Sequence, residues 1–579
     1  WFVAAVLAGL ACRGIGGLHA YGAHTQAQVA FAIALCGLVA AWAAAEVTAW
    51  LQAQQASHAP GVSEESSEVL EMVPRNGTAT PKATVLGQSA ELEDEKAGAA
   101  SNEHDVEKAA NGKDHSASGS SPVSGAVEKA KAAKQDVLTG GQLEVLRALR
   151  ACAELAIILV FVYLCDRTEV FPKGSKVYNP RQFWGLWALL CIVAAFTLTK
   201  TGSEKAMPRE QTDEWKGWMQ VMFLMYHYFA EKEVYNAIRV YIASYVWMTG
   251  YGNFYLYGRK DAFSLRRLLH MLFRLNFLGF CMCVLLTNEY MLYYICAMHT
   301  LFTLFVMAML YVKRELNKSC RATYGKVVVV LLLTVLLYDG PPIIFRAVFG
   351  TLPVVRPLMA FHDPVHPEFT DEMHEWHFRS GLDRFVWIAG MLFAMQIDDV
   401  QSLCEQFGSA SCSWRCARSI AVALSLGVVG LLWWNYVFRL GKYDYNAMHP
   451  YTSFVPITLY LLVRNSLPAF RRRYLALFAY MGKYTLETYI FQFHIWMRTT
   501  GLNGSPKHLL VWIPGYYWLN FAVVTAVYIC VSIRFFKVTA TLSEALVRKE
   551  PRELAIAAAC LLVGSTACFL ASGVFVTGF

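Results

Sequence analysis

Four histidines crowd into one short stretch, His362-Asp-Pro-Val-His366 followed by His374-Glu-Trp-His377-Phe-Arg379-Ser-Gly-Leu-Asp383-Arg384. An imidazole titrates near neutrality and can take a proton from a hydroxyl as that hydroxyl attacks a thioester. A guanidinium close by can hold an oxyanion or a phosphate. His374, His377, Arg379 and Asp383 are therefore candidate catalytic residues. The competing reading is a hydrated loop whose His and Arg side chains only meet headgroups. For His362 and His366 that plainer reading leads, and no metal site is expected, because Pro364 and Pro367 break the helix that would aim an i, i+4 pair at an ion.

A second set lies in Gly482-Lys-Tyr-Thr-Leu-Glu487-Thr-Tyr-Ile-Phe-Gln492-Phe-His494-Ile-Trp-Met-Arg498. Read as one continuous helix, the offsets of seven and four put Glu487, His494 and Arg498 on one face. Glu487 and His494 join the catalytic candidates, against the reading of a structural pair with Arg239 or Arg274 from other helices. Arg239, Arg274, Asn276 and His299 each sit inside an apolar block. Of these, His299, Arg239 and Arg274 are candidates for holding a cofactor, and a hydrogen-bonded core residue is the simpler account of His299. Convergence of Glu487, His494 and His299 would line a route across the molecule.

These side chains must be positioned by helices in a membrane. Of 579 residues, 56% are hydrophobic and only 16% charged, outside the range of a soluble domain. The apolar residues gather into blocks long enough to cross a hydrocarbon core of about 30 Å as helix. Centred near 27–46, 148–165, 183–199, 217–230, 234–249, 268–287, 291–312, 327–346, 383–397, 418–437, 453–463, 475–497, 513–534 and 555–574, they predict an all-α polytopic membrane protein with about 12–14 transmembrane helices. The blocks at 217 and 453 are short enough to be re-entrant. A glutamate or histidine at membrane depth costs about 2.5–3.5 kcal/mol when charged, so the default reading of such residues is a polar cavity or pathway.

We divide the chain into N-terminal span(s) at 1–49, a polar Ala-, Glu-, Lys- and Ser-rich disordered loop at 50–140, and a multi-span domain at 141–579. The first residue is Trp1 rather than Met, so we expect the sequence to begin within a longer chain. The net charge of +8 is spread over loops beside apolar blocks, which makes it a topology signal and not a nucleic-acid surface. Basic loops around Lys313–Lys326, Arg471–Arg473 and Lys537–Arg552 fall on one side of the membrane by count, the cytosolic one, together with 50–140. Segments 347–382, 438–452 and 498–512 fall on the other, lumenal side. Most of the 15 cysteines lie in apolar blocks as small hydrophobes, and Cys412 and Cys416 lack the partner pair a zinc site needs. Walker, dinucleotide-binding, Gly-Asp-Ser and His-Glu-x-x-His signatures are absent, which argues against an ATP-driven pump or a zinc protease.

Long strings of low degeneracy then carry a resemblance. Gln211-Thr-Asp-Glu-Trp-Lys-Gly-Trp-Met-Gln-Val-Met-Phe-Leu-Met-Tyr-His-Tyr-Phe229, Tyr235-Asn-Ala-Ile-Arg239, Tyr245-Val-Trp-Met-Thr-Gly-Tyr-Gly-Asn-Phe254, Met291-Leu-Tyr-Tyr-Ile-Cys-Ala-Met-His299, the His374–Arg384 string, His449-Pro-Tyr-Thr-Ser453 and Leu486-Glu-Thr-Tyr489 with Gln492-Phe-His-Ile-Trp496 spread over roughly 150–550. They resemble the ten-transmembrane acyltransferase domain of plant reduced-wall-acetylation proteins, fungal capsule O-acetylation proteins and animal sialic-acid O-acetyltransferases. The order of an early span, a polar loop and the exit Cys165-Asp-Arg167 is nearest the plant branch. Ala297 departs from the pattern, where Pro is expected.

The resemblance implies a multi-pass Golgi membrane protein that uses acetyl-CoA as donor, without a metal, to O-acetylate cell-wall or other polysaccharides. The glycan acceptor would be reached directly or through a lumenal O-acetyltransferase partner, as in the plant branch. It marks His374, His377, Arg379, Asp383, Glu487 and His494 as motif positions. The alternatives are a transporter that moves the acetyl donor intact and a scaffold for soluble transferases, the latter leaving the intramembrane charges without a purpose.

Overall fold

The structure is a computed structural model that describes residues 26–57, 140–203, 205–352, 355–408 and 413–577. Most of the predicted loop at 50–140, and Cys412, lie outside these residues, while residues 50–57 continue the first helix instead of opening that loop. The helices are α1 (Gln26–Ser57), α2 (Gly140–Arg167), α3 (Pro180–Ala195), α4 (Arg209–Tyr228), α5 (Tyr235–Phe254), α6 (Leu265–Leu286), α7 (Tyr294–Tyr311) and α8 (Cys320–Tyr338). They continue as α9 (Pro342–Gly350), α10 (His374–Leu382), α11 (Val386–Met395), α12 (Ile397–Gly408), α13 (Ser413–Trp433), α14 (Lys442–Thr452), α15 (Phe454–Ser466), α16 (Ala476–Met481), α17 (Thr485–Phe491), α18 (Tyr517–Leu546) and α19 (Pro551–Thr577). Among the described residues, seven helices are long and apolar enough to cross a membrane. The all-α polytopic class is therefore as expected.

The chain divides into a larger unit (1–34, 157–539, 547–579) and a smaller one (35–156, 540–546). Within the smaller unit Arg150 Nη2 donates to Glu46 Oε2 at 2.9 Å and Ala49 packs on Leu146.

In the larger unit, short strands tie the loops at each end. At one end β1 (Lys173–Ser175), β5 (Pro506–Leu510) and β4 (Met497–Thr499) form an antiparallel sheet in the order β1-β5-β4, with Lys173 opposite Leu510 and Arg498 opposite His508. At the other, β2 (Leu198–Lys200) pairs with β3 (Arg473–Leu475), Leu198 opposite Leu475. The 16 residues of α3 connect the two ends, a rise of about 24 Å. Asn179 starts that helix, its side chain accepting from the Arg181 and Gln182 amides ahead of Pro180.

Two pairs of helices meet backbone to backbone, and glycine is the reason. A Cβ on Gly250 of α5 would overlap the Trp387 carbonyl of α11, and one on Gly390 would overlap the Trp247 carbonyl in return. Gly217 of α4 and Gly482 stand in the same reciprocal relation with the Phe478 and Asp213 carbonyls. Small residues at such crossings let membrane helices gain close dispersion contact where no hydrophobic drive exists between them. Rings fill the space beside the first crossing, with Phe302 stacked on Trp387 at 5.4 Å and Trp247 on Tyr251 at 5.3 Å.

Gly250→Ala should therefore cost about 1–3 kcal/mol through overpacking and lower the thermal midpoint in detergent. Gly252→Ala, two residues along the same helix with open space around it, should leave the midpoint unmoved.

Candidate functional site

The helix carrying the second motif does not run through to Arg498. Regular α-helix ends at Phe491, Gln492–Trp496 form a π-turn, and Met497–Thr499 are strand β4. The expectation that Glu487, His494 and Arg498 share one helix face is thus corrected: the wider turn shifts the helical phase, and Arg498 belongs to the sheet. π-turns often mark functional positions in helices, and this one delivers His494 to the last turn of α2.

There His494 Nδ1 lies 3.2 Å from Asp166 Oδ2 and its Nε2 lies 2.8 Å from the Tyr293 hydroxyl. All three side chains are buried. With Nδ1–H donating to the carboxylate, Nε2 is left as the acceptor facing the phenol. Asp166 also receives the Thr499 amide at 2.8 Å, the Thr499 hydroxyl at 2.9 Å and Arg167 Nη1 at 3.3 Å. Arg167 Nη2 donates to the Leu286 carbonyl and to Asn288 Oδ1, and Asn288 Nδ2 donates to Tyr293 Oη at 3.2 Å. Arg498, fully buried, donates to the carbonyls of Asp166, Thr168 and Phe171. It thereby satisfies carbonyls at and beyond the end of α2.

A second set of the same residue types surrounds Asp383, which follows α10. Its Oδ2 lies 3.3 Å from Arg239 Nη2 and its Oδ1 3.4 Å from His449 Nε2, while His449 Nδ1 reaches Tyr445 Oη at 3.1 Å. The imidazole is reversed relative to His494, and these bonds are longer.

The remaining candidates are dispersed. His374 is exposed and stacked on Phe369 at 4.2 Å; His377 is exposed and lies edge-on to Phe345 at 4.7 Å. Arg379 pairs with Glu375 at 2.7 Å and covers the Tyr294 ring at 4.8 Å. His362 and His366 each sit on a carboxylate, Glu289 and Glu368. Glu487 is buried with Arg274 Nη2 4.0 Å away, and its Oε2 has no hydrogen-bond partner among the described residues. His299 Nδ1 is held by the Thr249 hydroxyl at 2.6 Å. Glu487, His494 and His299 thus each have a different partner. Instead, the chain around Tyr293 touches several of these groups in turn, Tyr293 meeting His494, Tyr294 meeting Arg379, and His299 meeting Thr249 on α5.

Asp166, Tyr293, Asn288, His449 and Thr499 did not emerge as candidates from the sequence. The signal for Asp166 was present, an aspartate closing an apolar block, which the cost of buried charge alone would have selected.

A carboxylate, an imidazole and a hydroxyl in line are the parts of general-base catalysis at an oxygen nucleophile, here in a polytopic helical membrane protein. Residues 99–558 match the family described as the 10 TM acyl transferase domain found in Cas1p, and the chain belongs to that family. The N-acetylneuraminate (7)9-O-acetyltransferase of Danio rerio is 33% identical over 425 residues, 71% of this chain and 52% of the relative. The chain thus spans about half the length of that relative. No solved structure matches.

His362 offers a pH test outside the spans. Glu289 accepts from its Nδ1 at 2.6 Å and from its amide at 2.7 Å, and this carboxylate raises the imidazole above its ordinary value. The folded state therefore binds the proton more tightly. The contact's contribution is complete below about pH 6.5 and is lost as pH rises through the raised value. Protease protection of the 360–373 loop should fall over that window in the wild type, and His362→Gln should remove the dependence.

Proposed function

We propose that this protein is an O-acetyltransferase that accepts acetyl groups from acetyl-CoA on the side of its basic loops and delivers them to a glycan hydroxyl on the opposite, lumenal side of a Golgi membrane. The observation that carries the proposal is the Asp166–His494–Tyr293 line. His494 Nε2 takes the proton of the attacking hydroxyl as its oxygen bonds to the thioester carbon. Asp166 stabilises the imidazolium that forms, and that proton passes to the departing CoA sulfur as the C–S bond breaks, the thioester arm of CoA having reached the site from the side of the basic loops and withdrawing the same way. The products are an acetyl ester and free CoA. Tyr293 Oη marks the position of the attacking oxygen, either yielding it to the acceptor or relaying the proton.

The orientation is supported by the distribution of charge. Arg314, paired with Asp261, and Arg472, whose carbonyl accepts from the Thr201 amide, lie at the end of the larger unit that carries β2 and β3. The His494 site lies at the end that carries β1, β4 and β5. Basic residues on one face are the usual mark of the cytosolic side. The membership of the acyltransferase family and the relative's named activity support the reaction class. The resemblance to plant and fungal proteins supports a cell-wall or other Golgi polysaccharide as acceptor, reached directly or through a partner transferase. Carriage of an intact acetyl donor would leave the carboxylate–histidine pair without a task.

Sealed vesicles of the reconstituted chain, given acetyl-CoA labelled separately on acetyl and on CoA, should accumulate acetyl on a lumenal glycan while CoA stays outside. His494→Ala should abolish this. Entry of both labels together would make the protein a carrier.

A further inference from the structure

Two consecutive residues beyond the end of α6 face opposite ways. Asn288 is buried, its Nδ2 donating to Tyr293 Oη at 3.2 Å and its Oδ1 accepting from Arg167 at 2.9 Å. Glu289 stands at the start of the 3-10 turn Tyr290–Tyr293, yet its side chain caps no amide of that turn. It accepts instead from Nδ1 and from the backbone amide of His362. A carboxylate at a helix start ordinarily serves the free amides there, so this one ties the 360–373 loop to the turn that carries Tyr293.

Asn503 joins the two residues. It sits in the loop between β4 and β5 with φ 53°, a left-handed conformation that asparagine tolerates. Its Oδ1 accepts from the Glu289 amide at 2.7 Å while its own amide donates to Asn288 Oδ1 at 3.1 Å. Hydrogen bonds therefore lead from His362 through Glu289, Asn503 and Asn288 to Tyr293, whose hydroxyl lies 2.8 Å from His494 Nε2. The short helix Arg356–Met359, just before the loop, packs on the same 3-10 turn.

We propose that His362 and Glu289 form a proton-sensitive latch that sets where the Tyr293 hydroxyl stands against His494. The imidazole is the part that changes. Around it are Glu289, Glu372 at 3.9 Å from Nε2, and Asp363 next in the chain, whose carboxylate accepts from the Val365 amide. Arg356 pairs with Glu372 at 3.1 Å, and Cys283 of α6 is the other titratable group beside Glu289. A protonated imidazole donates from both nitrogens between two carboxylates, whereas loss of the proton leaves those carboxylates as like charges with a neutral ring between them. The charge-assisted bond then weakens, and the turn that carries Tyr293 gains freedom. His362 is thus a positioning residue. His366 pairs only locally, with Glu368 two residues on, and serves as the control.

The effect of the latch on a rate rests on the reading of the protein as an acetyltransferase, so a measurement without donor accompanies the kinetics. In sealed vesicles given acetyl-CoA, with both faces buffered alike, dividing the wild-type kcat by that of His362→Gln at each pH cancels the titration of His494. That ratio should fall about fivefold between about pH 5.5 and about pH 8.5, the difference between a charge-assisted and a neutral hydrogen bond. The KM for acetyl-CoA should not move. His362→Arg, which keeps a cation on Glu289 at every pH, should hold its ratio to His362→Gln throughout, and His366→Gln should follow the wild type. A wild-type ratio that is flat with pH, or an Arg variant that loses rate as the wild type does, would overturn the latch. Without donor, hydrogen-exchange protection of Tyr290–Tyr293, taken relative to His362→Arg, should fall over the same window. Should the wild type and every variant fail to transfer acetyl, the reading as a transferase fails, and exchange alone decides: relative protection that ignores pH overturns the latch.

Discussion

Asp166 is a carboxylate with no exposed surface, at the end of a long apolar helix. An ion in such a place must be supplied with donors on every side or it destabilises the fold by several kcal/mol. Much of the architecture at this end of the larger unit serves that need. The π-turn brings His494, the first residues after it bring the Thr499 amide and hydroxyl, and Arg167 folds back from the same helix. The sheet β1-β5-β4 then fixes the strand that carries Thr499, and Arg498 binds that strand to the carbonyls following Asp166. In the proposed reaction, a pair held this rigidly would lose little to reorganisation.

The same logic, in a looser form, organises the Asp383 set. Arg239 comes from the first turns of α5 and Asp383 from just before α11, so the two are aligned by the Gly250–Gly390 crossing further along the same helices. The second crossing, of Gly217 with Gly482, anchors α4 against the segment that leads into Glu487 and the π-turn. Packing and polar chemistry are thus one arrangement. Glycines set how closely the helices approach, and the approach decides which charges meet.

Much of this was legible in the sequence. Apolar blocks of spanning length gave the helical class, because an unbroken apolar stretch of that length is what a membrane-crossing helix requires. What the sequence concealed was phase and partnership. A helical wheel drawn through Gly482–Arg498 assumes a constant turn, and the π-turn at Gln492–Trp496 breaks that assumption. Asp166 and His494 are 328 residues apart, so nothing local in either stretch announces the other. The crowded His374 and His377 are exposed on α10, whereas the isolated His449 is buried. Crowding on the chain marked a region of the surface, and burial, which has no local signature, marked the pairs.

The central claim is that Asp166 and His494 act as one unit in moving the acceptor's proton, and a double-substitution cycle tests it most directly. Rates of acetyl transfer would be compared for Asp166→Asn, His494→Gln and the two combined, each variant first shown by its thermal midpoint to remain folded. Residues that work as a unit are strongly non-additive. The account predicts that each single change lowers the rate by about 10²–10⁴-fold and that the double variant is no slower than the worse single one. Losses that multiply, or a His494→Gln protein that keeps the wild-type rate, would contradict it.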